Sequence, residues 1–240
     1  MIIDILTLFP EMFEGVLNSS IIKRAIDKNV VTINIHDFRT YSNNKHKKVD
    51  DTPYGGGAGM LLTLQPIVDC LKAINYKEAK VLLTTPSGST YNQEKAKSLS
   101  EENRIIIICG HYEGIDARIE NYIDEEVSIG DFVLTGGEIA SLAILDSVIR
   151  LLPEAINASS IEDESFSYNL LEYPQYTKPA SFDGFDVPSQ LVNGNHEEIR
   201  KFRRYTSLKK TFSLRPDLLD KVMLTKEDKM FLNEISKSIK

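Results

Sequence analysis

Two glycine-built loops carry the residues best suited to chemistry. The first opens at Gly110 and continues His111-Tyr112-Glu113, with Asp116 close behind. The second runs from Ser128 through Gly130 to Thr135-Gly136-Gly137-Glu138. Glycine lets backbone N–H and C=O groups come close to a ligand. One such loop reads as a tight turn; two within thirty residues, each carrying polar groups, read as a binding site. A third glycine-rich stretch, Val49 to Gly59, lacks the Lys-Ser/Thr of a phosphate-binding loop and a G-x-G-x-x-G between strand and helix. It reads as a flexible element that carries Asp50. The acids Glu162, Asp163 and Glu164 fall in a serine-rich stretch. Such acids are usually solvated, yet a carboxylate on a lid can serve as a general base. Arg150 ends an apolar helical pattern, where it either caps the C-terminus or offers its donor fork to a substrate oxygen. Basic residues gather at Lys45, His46, Lys47 and Lys48, and again at Arg200, Lys201, Arg203, Arg204, Lys209 and Lys210, interleaved with Phe202 and Tyr205. In an acidic chain these two patches point to phosphate backbone contact.

The elements that must position these groups follow from periodicity. Ile105 to Cys109 is an uninterrupted, mostly β-branched run, the pattern of a strand buried on both faces. Strands are also expected over Ile2–Leu8, Val30–Phe38 and Lys80–Thr85, the last halted by Thr85-Pro86-Ser87-Gly88, with another apolar piece from Val127 to Leu134. Helices are expected from Pro10 to about Asp27, Gln65 to Asn75, Asn92 to Leu99, and Glu138 to about Leu151. Tyr41 to Gly59 has no period and is expected to be loop. Strands alternating with helices call for an α/β fold with a mainly parallel sheet flanked by helices. In such sheets ligands sit outside the carboxyl ends of the strands, where both glycine loops fall. After Pro153 the character changes. Residues 157–170 read as a flexible linker or lid between a first domain, 1–156, and a helical one, 171–240. In the latter Tyr173 to Asn195 is expected to be irregular. Asn195-x-x-Glu198 caps a helix carrying an Ile199, Phe202, Tyr205 stripe, Pro216 opens another, and Thr225 caps the last.

Composition narrows the classes. The 240 residues are 42% hydrophobic and 26% charged with net charge −7, ordinary for a globular chain and unlike a non-specific nucleic-acid binder. No apolar run reaches membrane-spanning length, and the start Met1-Ile2-Ile3-Asp4 has no signal-peptide pattern. Cys70 and Cys109 lie in apolar surroundings, as buried free thiols do. The expectation is a cytoplasmic protein without membrane contact.

Several longer motifs then stand together. They are Asp50-Asp51 with Pro53-Tyr54-Gly55-Gly56-Gly57; Cys109-Gly110-x-Tyr112-Glu113-Gly114-Ile115-Asp116; Ser128-Ile129-Gly130-Asp131-x-Val133-Leu134-x-x-Gly137-Glu138; Tyr173-Pro174-x-Tyr176-Thr177; and Ser207-Leu208. With Leu8-Phe9-Pro10 they resemble, in order and along essentially the whole chain, the bacterial tRNA (guanine-N1)-methyltransferases of the SPOUT superfamily. The resemblance implies a trefoil knot in the C-terminal part of the sheet domain and a small helical tRNA-binding domain. It implies S-adenosylmethionine held by Thr85, Pro86, Ser87 and Gly88, by Gly110, Tyr112 and Glu113, and by Ile129, Gly130, Asp131, Phe132, Val133 and Leu134, with Gly136 and Gly137. It implies tRNA contacts at His46, Asp50, Gly55 and Gly59, to which the basic patch adds Arg200, Arg203, Arg204 and Lys209. A homodimer with sites at the subunit interface is implied, and a magnesium ion with Glu113 as its candidate ligand. The reaction implied is methyl transfer to N1 of the guanosine just 3′ of the anticodon, with Arg150 stabilising charge at O6. The family's general base is an aspartate followed by Ser-Phe. Here the sequence is Asp163-Glu164-Ser165-Phe166, so the base is Glu164 by register, or Asp163 if the lid shifts by one. His111 stands where many members carry arginine. Two other classes are weighed against this reading: a nicotinamide-dependent oxidoreductase, which would lack its glycine fingerprint, and a non-catalytic RNA-binding module, which would leave both glycine loops without a purpose.

Overall fold

The structure is a computed structural model that describes residues 1–156, 165–166 and 169–238. They fall into two compact units, Met1–Ala158 and Ser159–Lys240. In the first, β1 (Ile2–Thr7), α1 (Glu11–Leu17), α2 (Ser20–Asp27) and β2 (Thr32–Asp37) lead to a short pair, β3 (Asp50–Asp51) and β4 (Leu61–Leu62). Then follow α3 (Leu64–Ala73), β5 (Lys80–Thr90), α4 (Gln93–Ser100), β6 (Arg104–Cys109), β7 (Glu125–Ser128) and α5 (Glu138–Ile149). Five strands form one all-parallel sheet in the order β2-β1-β6-β5-β7. The apolar run of β6 has helices on both faces, as expected. Ile105 and Ile107 pack with Ile3, Ile5, Phe13, Leu145 and Val148 on one side. Ile106 and Ile108 pack with Leu6, Leu83, Ile67 and Leu71 on the other. Cys70 and Cys109 are buried free thiols, and burial pushes both thiols up, Cys70 to about 12.

The structure corrects four local expectations in this unit. The helix expected over Pro10–Asp27 breaks at Asn18-Ser19. There Asn18 Nδ2 donates to Glu14 O and Ser19 Oγ to Gly15 O, competing with the backbone ladder, and Ser20 takes a positive φ. Residues 41–59 are not all loop, because Asp50 and Asp51 pair antiparallel with Leu62 and Leu61. Thr85–Gly88 does not end β5: Thr84 and Ser89 both pair with Val127, so the four residues bulge out and the strand resumes. The last strand stops at Ser128 rather than Leu134.

In the second unit a two-residue hairpin, β8 (Ser181–Phe182) with β9 (Phe185–Asp186), interrupts the irregular stretch. Helix α6 (His196–Leu214) starts where Asn195 accepts from the N–H groups of Glu197 and Glu198. Its core stripe is Tyr205, Leu208 and Phe212 rather than Ile199, Phe202 and Tyr205. Pro216 opens a 3-10 turn, Pro216–Lys221. In α7 (Lys226–Ser238), Thr225 and Asp228 cap one another reciprocally. Among the described residues no helix is long and apolar enough to cross a membrane.

A buried aspartate ties the sheet together. Asp4 on β1 accepts from Asn34 at 3.0 Å and His36 at 2.8 Å on β2, and from Arg104 Nε at 2.8 Å on β6. Arg104 also donates to Ile74 O and Asn75 O at the end of α3. Burial alone would raise the Asp4 carboxyl; the three side-chain donors and the Arg104 charge outweigh it and hold the carboxyl below its usual range. A lowered folded-state pKa gives stability that is present above the unfolded value, about 3.9, and lost as pH falls through the folded value. Asp4→Asn is therefore expected to lower unfolding stability at neutral pH by about 3 kcal/mol, the scale for stranding one partner of a buried ion pair. The deficit relative to wild type should shrink in urea titrations run below about pH 4. Equal midpoints for the two proteins at neutral pH would show the network to be energetically idle.

Candidate active site

A cavity of about 260 Å³ opens at the carboxyl ends of β5, β6 and β7. Its first wall is the β5 bulge. Thr84 anchors the bulge by donating to Ile108 O at 3.1 Å, and Thr85 and Pro86 face the cavity. Gly88 brings the chain back against β7 so closely that a Cβ would fall on the backbone of Glu126 and Val127. Ser87 reaches Glu126 and Thr85 instead, and neither Ser87 nor Gly88 lines the cavity.

The second and third walls are the two glycine loops, joined to each other. Gly137 N donates to Gly110 O at 2.7 Å. A Cβ on Gly137 would stand 2.8 Å from Gly110 N and 2.9 Å from Cys109 Cα, so no side chain fits there. His111 and Gly136 form an antiparallel bridge. Ser128 Oγ and the backbone of Gly130 bond both ways, at 3.0 and 3.2 Å, which sets the sharp exit from β7 with Gly130 at φ +149°. Beneath the loops the buried Glu138 accepts from Thr7 Oγ1 at 2.9 Å, tying the start of α5 to β1. Its second oxygen lies 3.9 Å from His111 Nδ1, a buried atom with no hydrogen-bond partner among the described residues. The His111 ring sits 4.9 Å from Phe9 and 5.1 Å from Tyr112.

Most of the expected ligand-binding residues meet here. Thr85, Pro86, Gly110, Tyr112, Glu113, Ile129 and Gly130 line the cavity, as do Phe132, Val133, Leu134, Gly136 and Gly137. Asp131 is exposed and does not. Thr84, Gly114, Ile115 and Ala140 also line it and were not anticipated; Thr135, in the second glycine loop, lines it too. The signal for Thr84 was its place next to the Thr85-Pro86-Ser87-Gly88 break. Gly114 and Ile115 sat inside a motif already quoted.

The stretch 49–60 is stitched to the same rim. Glu113 N donates to Met60 O, Leu62 N to Gly114 O, and Asp116 N to Leu62 O. Gly59 abuts the Glu113 side chain, Asp50 lies half-buried in β3, and Gly55 and His46 are exposed. Among the described residues no three His, Cys, Asp or Glu side chains converge to hold a metal ion. Arg150 caps the far end of α5, 12 residues or about 18 Å along the axis from the cavity end. Asp163 and Glu164 lie outside the described residues.

The basic residues of the second unit divide into paired and presented groups. Arg204 grips the buried Asp228 with both donors, at 2.7 and 2.8 Å. Those bonds hold the Asp228 carboxyl at about 2. Arg200 bridges Glu197 and Glu227. Arg203 instead lies over the Tyr173 ring, 4.9 Å from its centroid, beside a cavity of about 340 Å³ that Arg200 and Arg204 also border. Lys209 is exposed.

Comparison with known proteins agrees with this geometry. A family model described as tRNA (Guanine-1)-methyltransferase TrmD matches residues 1–221. The chain is 57% identical over 237 residues to a tRNA (guanine-N(1)-)-methyltransferase of Clostridium novyi, covering 98% of each chain. It is 48% identical over 239 residues to one of Dictyoglomus turgidum, covering 99% of this chain and 98% of the relative. It is 55% identical over 221 residues to one of Malacoplasma penetrans, covering 92% and 98%. With a family model over most of its length and relatives this similar from end to end, the chain belongs to the tRNA (guanine-1)-methyltransferase family.

Proposed function

We propose that the chain transfers a methyl group from S-adenosylmethionine to N1 of the guanosine immediately 3′ of the anticodon in tRNA, in the cytoplasm and as a homodimer. The observation that carries this reading is the cavity walled by three backbone-rich loops at the carboxyl ends of adjacent strands, in a chain of this family. Its volume, about 260 Å³, lies just below the ~300 Å³ floor of ordinary small-molecule sites. When bound, the cofactor supplies an electrophilic methyl group on a sulfonium. The bulge at Thr85 and Pro86, the Gly110–Glu113 turn and the Ile129–Leu134 loop offer backbone donors and acceptors to hold it. The close crossing of Gly137 over Gly110 supports the reading that this part of the sheet is threaded as a trefoil knot.

Guanine N1 carries a proton at neutral pH and is a poor nucleophile. A carboxylate must take that proton while the methyl group is held in line. By register the carboxylate is Glu164, with Asp163 one residue back. Negative charge then grows toward O6, where the Arg150 fork can meet it. Within one subunit Arg150 is a helix length away from the cavity end of α5, which supports pairing of two copies so that it serves the partner's cavity. The exposed Phe132, Val133 and Ile139 beside the cavity supply an apolar face for that pairing. Magnesium commonly keeps waters and uses only one or two carboxylates with substrate oxygens. Glu113 on the rim is the carboxylate that would hold it. His46, Asp50, Gly55 and Gly59 would meet the anticodon loop, and Arg203 and Lys209 the phosphate backbone.

The direct test incubates the protein with labelled S-adenosylmethionine and unmodified tRNA and maps the product to guanine N1. Tight binding of NADH, with no S-adenosylmethionine binding in calorimetry, would reject the reading. Glu164→Gln should slow single-turnover transfer roughly 100-fold or more, the scale of a positioned general base, with Asp163→Asn costing much less. The opposite pattern would move the role to Asp163.

Gly110→Val puts a branched side chain 3.1 Å from Thr84 O at the cavity wall. It should abolish cofactor binding in calorimetry while leaving the far-ultraviolet circular dichroism of the sheet in place; retained affinity would mean that the cofactor lies elsewhere.

The cations of α6 should separate by readout. Arg203→Gln and Lys209→Gln should each weaken tRNA about equally across cognate sequences and lower the salt slope by roughly 0.7–0.9, without shifting the melting temperature. Arg204→Met strands the buried Asp228 and should destabilise the second unit by about 3–5 kcal/mol. A melting temperature unchanged by Arg204→Met would show that its ion pair does not hold α6 to α7.

A further inference from the structure

Tyr54, near the site, does not line the cavity. The Tyr54 ring is fully exposed, and it stands between Pro53 and the three glycines Gly55, Gly56 and Gly57. These glycines take φ +86°, +77° and +130°, and among the described residues no atom outside the loop lies within 4 Å of where their Cβ atoms would be. Among the described residues nothing packs the tip down. Its root, in contrast, is fixed. Val49 is buried and accepts from both Thr63 N and Thr63 Oγ1. The β3–β4 pair closes the neck, and three backbone hydrogen bonds join Met60 and Leu62 to the cavity rim at Glu113–Asp116. An exposed guanidinium, Arg118, paired with Asp116, lies within electrostatic reach of the Tyr54 hydroxyl. Exposed Lys45, His46 and Lys48 lead into the same loop.

We propose that Tyr54 offers its face as a stacking platform to an unpaired nucleobase of the tRNA, the neighbour of the guanosine that enters the cavity. This rests on the methyl-transfer reading. A base that is to react must leave its stack, and its neighbour loses a stacking partner when it does. An aromatic ring held beyond the rim on a rigid root replaces that partner without reading sequence. The neighbouring cations suit the phosphates on either side of such a base and favour RNA over an apolar protein partner.

The test uses the full-length protein and a tRNA transcript with 2-aminopurine beside the target guanosine. Wild type and Tyr54→Phe should quench its fluorescence and bind alike. Tyr54→Leu should not quench it and should bind tRNA about 10- to 100-fold more weakly, the range for losing one stacked base. S-adenosylmethionine affinity and the melting temperature should be the same in all three. If wild type methylates the tRNA but Tyr54→Leu binds and quenches as wild type does, the stacking proposal is overturned and the methyl-transfer reading stands. If Tyr54→Phe fails as Tyr54→Leu does, the hydroxyl matters rather than the ring face, and the proposal is again overturned. If wild type transfers no methyl group, the underlying reading falls and this one with it.

Discussion

The site depends on one contact in which two stretches of chain touch with no side chain between them. Gly137 donates its N–H to Gly110 O, and the space where its Cβ would project is filled by Gly110, Cys109 and Thr84. A buried backbone hydrogen bond contributes only about 1 kcal/mol net, but leaving its groups unpaired costs more. Here the bond also sets position. It brings the loop after β7 onto the end of β6, and the His111–Gly136 bridge extends that seam. Glu138, one residue on, is pinned by Thr7, so the start of α5 is referenced to β1 as well. The cavity walls are thus held by backbone against backbone, with a buried carboxylate below.

The electrostatics follow a related pattern. In each unit a buried aspartate takes the Nε of an arginine from a distant segment: Asp4 with Arg104, and Asp228 with Arg204. Both carboxyls are held below their usual range. Such a pair specifies which elements meet more than it adds net stability, because desolvation offsets much of the attraction. It also sets the Arg204 charge against a carboxylate. A basic run read from the sequence therefore overstates the charge presented at the surface.

What could be read without coordinates was whatever local chemistry decides. The run Ile105–Cys109 reads as a doubly buried strand, and Asn195 with Glu198 reads as a helix start; both are what the structure has. The two glycine loops announced the site because their spacing was local. What could not be read was set by distant partners. Thr85-Pro86-Ser87-Gly88 does break regular structure, but β5 resumes beyond it because Val127 accepts the register on both sides of the bulge. Nothing near Arg200 and Arg204 in sequence shows that Glu227 and Asp228 will claim them. The break at Asn18 needed a judgement between side-chain and backbone acceptors that periodicity does not make.

The order of the strands has a consequence in time. β1 is the first strand of the sheet, yet it lies between β2 and β6, with Ile2 in register with Arg104. At a synthesis rate of roughly 5–20 residues per second, the second neighbour of β1 reaches the ribosome exit on the order of 5–20 seconds after β1 itself. Until then one side of β1 is an open edge of apolar strand, the kind of edge that recruits the wrong partner. Asp4 then has only Asn34 and His36 to answer it, and its charge stays wet until Arg104 arrives. A hydrated carboxylate in the middle of an unpaired apolar edge discourages that edge from being covered by anything except the one strand that brings the matching guanidinium.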